Sequence, residues 1–402
     1  LDVVDMARIQ WDSRLKTELR SLLNKLSRPA VRLRGGKLND DGFTVRFIFT
    51  SEDLLEVILA IKNPNFSGTF TKHVGWNLLQ LQLQTPTVEE LRSKYRELSP
   101  DIRQMGVDDT IYGSEWFGAE RERTGASLAN AGYIPHLKNF AKTGVPNSLR
   151  PALWGRILGC NPTPKDLHRY KLLRQNLASL DVASDSLFRF DVQETTDNDE
   201  FFVFSDPLNE AMLIFSRDNQ VRSLCSLEPT TAVLEIAIPP CGIIPFYQLS
   251  LIAAPICFIH ADVEHIYYMW RAMYCRYFCR LHIISSQKDT IYYLAKTFED
   301  LLSTAHPKVY YHAVSIGAHP LRTVFPWIFT AFAGVLPVFQ VLQVWDRIIA
   351  YNTLELLPTL AAAIYLFRAD RVLEAKSANE VHSIFKETVH IQAIPLLQHF
   401  LF

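Results

Sequence analysis

GVPNSLRPALWGRILG, residues 144–159, reads as a turn running into a helix. Ser148 is placed to cap that helix, and Pro151 is tolerated in its first turn because the early amides have no intrahelical acceptor. Arg150 and Trp154 stand four residues apart and therefore share a face. A guanidinium and an indole stacked in this way read first as a structural pair at the centre of a domain. From Gly144 onward the pattern is helical almost throughout. Ile291, Leu294, Ala295, Phe298, Leu301 and Leu302 form an apolar stripe at steps of three and four, and Ser377 with Glu380 makes a capping-box pattern. No long alternating stretch calls for a sheet, and no repeat period is visible.

Thr323–Trp345 carries no charge over 23 residues, long enough to span a bilayer. Pro326, Gly334 and Pro337 would break it as a single span, so two buried helices joined by a turn at 334–337 are expected instead. Upstream, Trp11, Leu15, Leu19, Leu22, Leu23 and Leu26 predict an opening helix that Pro29 ends. Gly35-Gly36-Lys37 lacks the earlier glycine and the Ser or Thr of a phosphate loop. Ser51 reads as the cap of a helix bearing Leu54, Leu55, Ile58 and Ile61, and Thr87 with Glu90 as a capping box. Gly113–Gly132 reads as a linker. Its Gly125-Ala126-Ser127-Leu128-Ala129 is no nucleophile elbow, since Glu120–Arg123 stands where a buried strand is required. A boundary near residue 140 divides an accessory segment, 1–140, from a main domain, 141–402.

The 402 residues predict two or three domains, and 48% hydrophobic content with 21% charged is ample for a core. A net charge of −1 provides no footprint for nucleic acid or an acidic membrane. Cysteines 160, 225, 241, 257, 275 and 279 show no zinc spacing and point to a reduced, cytoplasmic protein. Asp197-x-Asp199 opens like a calcium loop, but Phe202 holds the position that needs Gly. No metal or cofactor is expected. Leu1 rather than Met opens the sequence, so the natural N terminus is expected to lie further upstream.

Two more stretches complete the pattern: FRFDVQETTDNDEFF at 188–202 and VLQVWDRIIAYNTLELLPTLAAAI at 341–364. Gly-x-Pro-x3-Arg-x3-Trp-x3-Leu-Gly, followed much later by Trp-Asp ahead of an apolar helix, resembles the TBC domain of Rab GTPase-activating proteins. The likeness covers roughly 141–402. It implies an all-α, multi-helix, two-lobed domain, preceded here by the smaller, mainly helical accessory segment. The implied partner is a Rab-family small GTPase in its GTP form, with the protein held peripherally on endomembranes through it. Gly144, Pro146, Trp345 and Asp346 are then structural, and Arg150, Trp154, Asp191, Gln193 and Ser250 fall around the GTPase groove.

Such domains use two fingers. The first is the arginine of Ile-x2-Asp-x2-Arg, matched here by Phe188, Asp191 and Glu194. The second is the glutamine of Tyr-x-Gln-Gly-Met-Asn. Alignment without a gap puts Tyr247 at that glutamine and Gln248 at the glycine after it, while a one-residue slip would restore Gln248. From Asp181 to Asp206 eight acids face a single base, Arg189, and that stretch reads as a solvated acidic loop. The implied activity is weak or absent, with Arg189 the one candidate for a displaced finger. The alternatives are a non-catalytic Rab effector, a scaffold for unrelated partners and, third, a membrane-inserted helical protein.

Overall fold

The computed structural model describes residues 2–26, 48–60, 83–179 apart from 112 and 114, 182, 184–225, 239–386 and 390–402. Among them the chain is helical throughout, with one isolated bridge, Ala333 to Leu336, in place of any strand. The first helices are α1 (Asp2–Leu26), α2 (Ser51–Ala60), α3 (Val88–Lys94), α4 (Glu115–Ala131), α5 (Ile134–Ala141) and α6 (Arg150–Leu158). Then come α7 (Pro164–Ser179), α8 (Asp185–Thr196), α9 (Ser205–Arg217), α10 (Gln220–Leu224), α11 (Leu249–Ala253) and α12 (Val263–Arg276). The last group is α13 (Ile291–Ala305), α14 (Pro307–Ser315), α15 (Pro320–Phe329), α16 (Val338–Tyr351), α17 (Leu356–Phe367), α18 (Ala369–Glu374), α19 (Ala378–Ile384) and α20 (Ala393–Leu401).

Two packing groups follow from the apolar stripes. α8 and α12 pack on α9, while α13 packs on α15 and α17, which in turn holds α20. α16 joins them, touching α5, α6, α17 and α20. The stripe read in 291–302 is the buried face of α13, and each large apolar side chain buried there contributes about 1.5–3 kcal/mol. One continuous core reaches from Val4 to Leu401. α5 and the turn after it are part of that core through Leu137, Phe140, Ala141 and Val145; the Met105 amide donates to the Thr143 carbonyl, and Arg347 donates to Gln104 and to the Met105 carbonyl.

Several local expectations hold. Thr87 and Glu90 make both halves of the capping box. The uncharged stretch is two helices, α15 and α16, with left-handed Ala331 and Phe332 in the turn between them. The Trp345 indole fixes that turn by donating to the Ala331 carbonyl at 3.0 Å. No helix among the described residues is long and apolar enough to cross a membrane.

Other expectations need correction. Thr50, not Ser51, caps α2 in a reciprocal pair with Asp53. Ser148 caps nothing; it donates to Glu122 while the chain enters α6 through a short 3-10 turn at Asn147–Leu149. The supposed linker is the helix α4. Its charged residues misled because Arg121 lies under the helix, donating to the Phe140 and Gly144 carbonyls, and Gly125 lets Leu149 and Phe140 close in. Pro29 and Gly35–Lys37 lie outside the described residues.

Candidate functional site

The stretch read as an acidic loop is α8 followed by a turn. Leu187, Phe188, Asp191, Val192, Thr195 and Thr196 are buried against α9 and α11. Arg189, Gln193 and Glu194 are left exposed. The acid count overstated the surface charge, since Asp185 is buried in an ion pair with Arg217 at 2.5 Å and Asp191 is also inside.

Asp191 holds the second half of the site. Its carboxylate accepts from the Gln248 amide at 2.7 Å and from both the Ser250 amide and the Ser250 hydroxyl at 2.6 Å. The Ser250 proton is thus committed, so Thr195 donates to the Ser250 oxygen across 2.8 Å. These bonds satisfy the open amides at the start of α11 and pin it to α8. Burial pushes the Asp191 carboxyl up to about 6, against the pull of Ser250 and Gln248 and with the charge of Glu194 adding to the rise.

Replacing Asp191 with alanine takes the acceptor from three donors, the two of Ser250 buried and the Gln248 amide partly so, and the expected loss is about 2–4 kcal/mol of stability. A carboxyl raised in the folded chain adds stability that is complete below about pH 4 and is lost as pH rises through about 6. Urea melts should therefore show a larger difference between wild type and Asp191→Ala near the lower end of that window than at neutral pH.

The loop before α11 places Tyr247 and Gln248. Gln248 adopts φ +76, the left-handed conformation that favours glycine. Tyr247 is half-buried, and its phenol is shifted upward by burial first and then by the charges of Glu194 and Asp191. Glu194 and Tyr247 therefore lie within electrostatic reach of each other across the α8–α11 junction. The N-terminal part of the chain reaches the same place. The Phe49 carbonyl accepts from the Tyr247 amide at 3.2 Å, and the Phe49 ring lies between Trp11 at 5.0 Å and Phe246 at 5.1 Å. No signal in the sequence announced this contact, which joins positions nearly 200 apart.

A second buried centre is the one read from Arg150 and Trp154. Arg150 donates twice to Asp346, at 3.1 and 3.0 Å, and once to Asn147. Trp154 donates to the same carboxylate at 2.9 Å, and so does the Val145 amide at 3.1 Å. Arg150 is 3% exposed and Asp346 fully buried. Gly144, at φ +95, fits only as glycine, because a Cβ would stand 2.6 Å from that of Met105 and 2.8 Å from the Arg347 guanidinium. Of the five residues expected around the groove, Arg150, Trp154, Asp191 and Ser250 are buried and Gln193 is exposed.

The comparisons agree with this architecture. A sequence profile of the Rab-GTPase-TBC domain matches residues 246–372. Human TBC1 domain family member 19 is 36% identical over 428 aligned positions, covering 98% of this chain and 81% of the relative. The crystal structure of a Chlamydomonas flagellar RabGAP TBC domain superposes with a TM-score of 0.53 at 16% identity, over 71% of this chain and 92% of that one. The Ypt/Rab-GAP domain of Gyp1p superposes at 0.50 and 11% identity, over 67% and 90%. With an all-helical fold among the described residues and a relative 36% identical that matches 98% of this chain and is itself covered to 81%, the chain belongs to the TBC-domain family of Rab-GAP-like proteins.

Proposed function

We propose that residues 141–402 dock a Rab-family GTPase in its GTP form over the α8–α11 junction, and that they accelerate GTP hydrolysis weakly or not at all. Residues 1–140 act as an accessory segment, whose described helices share the core of that domain. The conformation of Gln248 carries the reading. The family motif has glutamine followed by glycine, and Gln248 adopts the backbone geometry that suits the glycine. This favours the ungapped register, in which Tyr247 takes the place of the glutamine finger and Glu194 that of the arginine. Phosphoryl transfer asks the activator for positive charge against the phosphate oxygens and for a group that orients water. A carboxylate repels that phosphate, and Arg189 begins more than one helical turn earlier.

The protein is then a regulator or effector in membrane trafficking, carried to endomembranes by its partner. Pull-down across a panel of Rab GTPases tests docking. At least one Rab loaded with a GTP analogue is expected to bind, and its GDP form to bind more weakly. Absence of binding by every member would remove the reading and leave a scaffold for other proteins.

A further inference from the structure

Beside the junction, but not part of it, lies an apolar patch with an acidic rim. The short turn after α8 exposes Phe202 and Val203 at 64% and 60%, and Phe258 at the end of the α11 segment is 47% exposed. Phe204 packs on Phe258 with ring centroids 4.7 Å apart and anchors the two segments to each other. The patch continues to Phe339, 53% exposed, because the Val338 amide donates to Glu200 at 2.9 Å and draws the start of α16 against the same turn. Four large apolar side chains are thus exposed on three segments that the Phe204–Phe258 ring pair and the Val338–Glu200 bond bring together.

The rim has one sign. Segments 197–216 and 249–265 hold seven acids and no Lys or Arg. Arg174, from α7, pairs with Glu210. The exposed Asp197, Asp199, Asp206 and Asp262 have no Lys or Arg partner among the described residues.

We propose that this patch is a docking surface for a segment of a partner protein that carries apolar side chains flanked by Lys or Arg. Charge complementarity selects that occupant. Anionic lipid and nucleic acid are repelled by the same rim, and a second copy of the patch would set acid against acid. Rim charges act mainly on encounter and salt dependence, and the apolar centre on residence time. The surface uses the turn at 202–204, Phe258 and Phe339 rather than Glu194 and Tyr247, so it does not rest on GTPase docking.

The test uses the full chain and two designed amphipathic peptides with the same Leu and Phe face, one bearing Lys on the other face and one Glu. Fluorescence anisotropy should show the Lys peptide binding at least about tenfold tighter, a difference that shrinks with added salt. Phe202→Ser with Val203→Ser changes only exposed positions and should weaken the Lys peptide by about tenfold or more. Asp197→Lys with Asp199→Lys should lower or reverse the preference for Lys over Glu. Equal binding of both peptides, or of one peptide to all variants, overturns the proposal. So does sedimentation showing wild-type self-association that Phe202→Ser with Val203→Ser abolishes, or binding to phosphatidylserine vesicles that this variant loses.

Discussion

Asp346→Ala is expected to cost the fold about 3–5 kcal/mol, a large part of the 5–15 kcal/mol that holds a domain together. The carboxylate takes four hydrogen bonds, two from Arg150 and one each from Trp154 and the Val145 amide. Its removal leaves a buried guanidinium without a counter-charge, an effect far larger than the loss of one neutral bond. Chemical denaturation measures it. Trp154→Phe supplies the milder variant, should Asp346→Ala not fold. It deletes a single donor and is expected to cost about 1–3 kcal/mol. A loss below about 1 kcal/mol for Asp346→Ala would show that the Arg-Trp-Asp centre does not hold the domain.

Glu194→Arg combined with Tyr247→Gln is expected to produce the largest functional change. An arginine finger supplied in trans is worth about 10³–10⁵ in rate, so a docked Rab should gain at least about 10²-fold in stimulated hydrolysis even with imperfect geometry. Glu194 is exposed, and an arginine there meets no packing obstacle. Tyr247 is half-buried but its backbone is held by Phe49, so the loop keeps its course when the ring is exchanged. Single-turnover hydrolysis with the Rab found by pull-down measures the gain. Neither single change should match the pair, since charge neutralisation and water orientation act in the same transition state. A double variant that still binds Rab but hydrolyses GTP at the intrinsic rate would show that α8 does not aim at the nucleotide.

Much of the fold was legible because it rests on local periodicity. The stripe of α13 and the Thr87–Glu90 cap are patterns within one helix, and physics acting over four residues writes them plainly. The Arg150–Trp154 pair was readable as structural for the same reason. Its acceptor, nearly 200 residues away, came only from the likeness of two motifs to a family. What misled was charge. Arg121 in the supposed linker and Asp185 and Asp191 in the supposed acidic loop read as solvated, yet both aspartates are buried by partners from other helices and Arg121 is half-buried against the Phe140 and Gly144 carbonyls. A count of charges along the chain cannot distinguish an ion facing water from one whose partner arrives from 30 or 60 positions away. Arg150, Trp154, Asp191 and Ser250, expected around the groove, are likewise buried, which residue type alone did not announce. The Phe49 contact with Tyr247 was illegible for a similar reason, since a backbone carbonyl leaves no trace in residue identity.

The wild-type protein, assayed for single-turnover GTP hydrolysis against a panel of Rab GTPases, tests the central claim most directly. A GTPase that binds should hydrolyse GTP within about twofold of its intrinsic rate, because Glu194 and Tyr247 supply neither the cation nor the amide that the transition state requires, and Arg189→Ala should change nothing. Acceleration by about 10³-fold or more that Arg189→Ala abolishes would contradict the account and make Arg189 the finger.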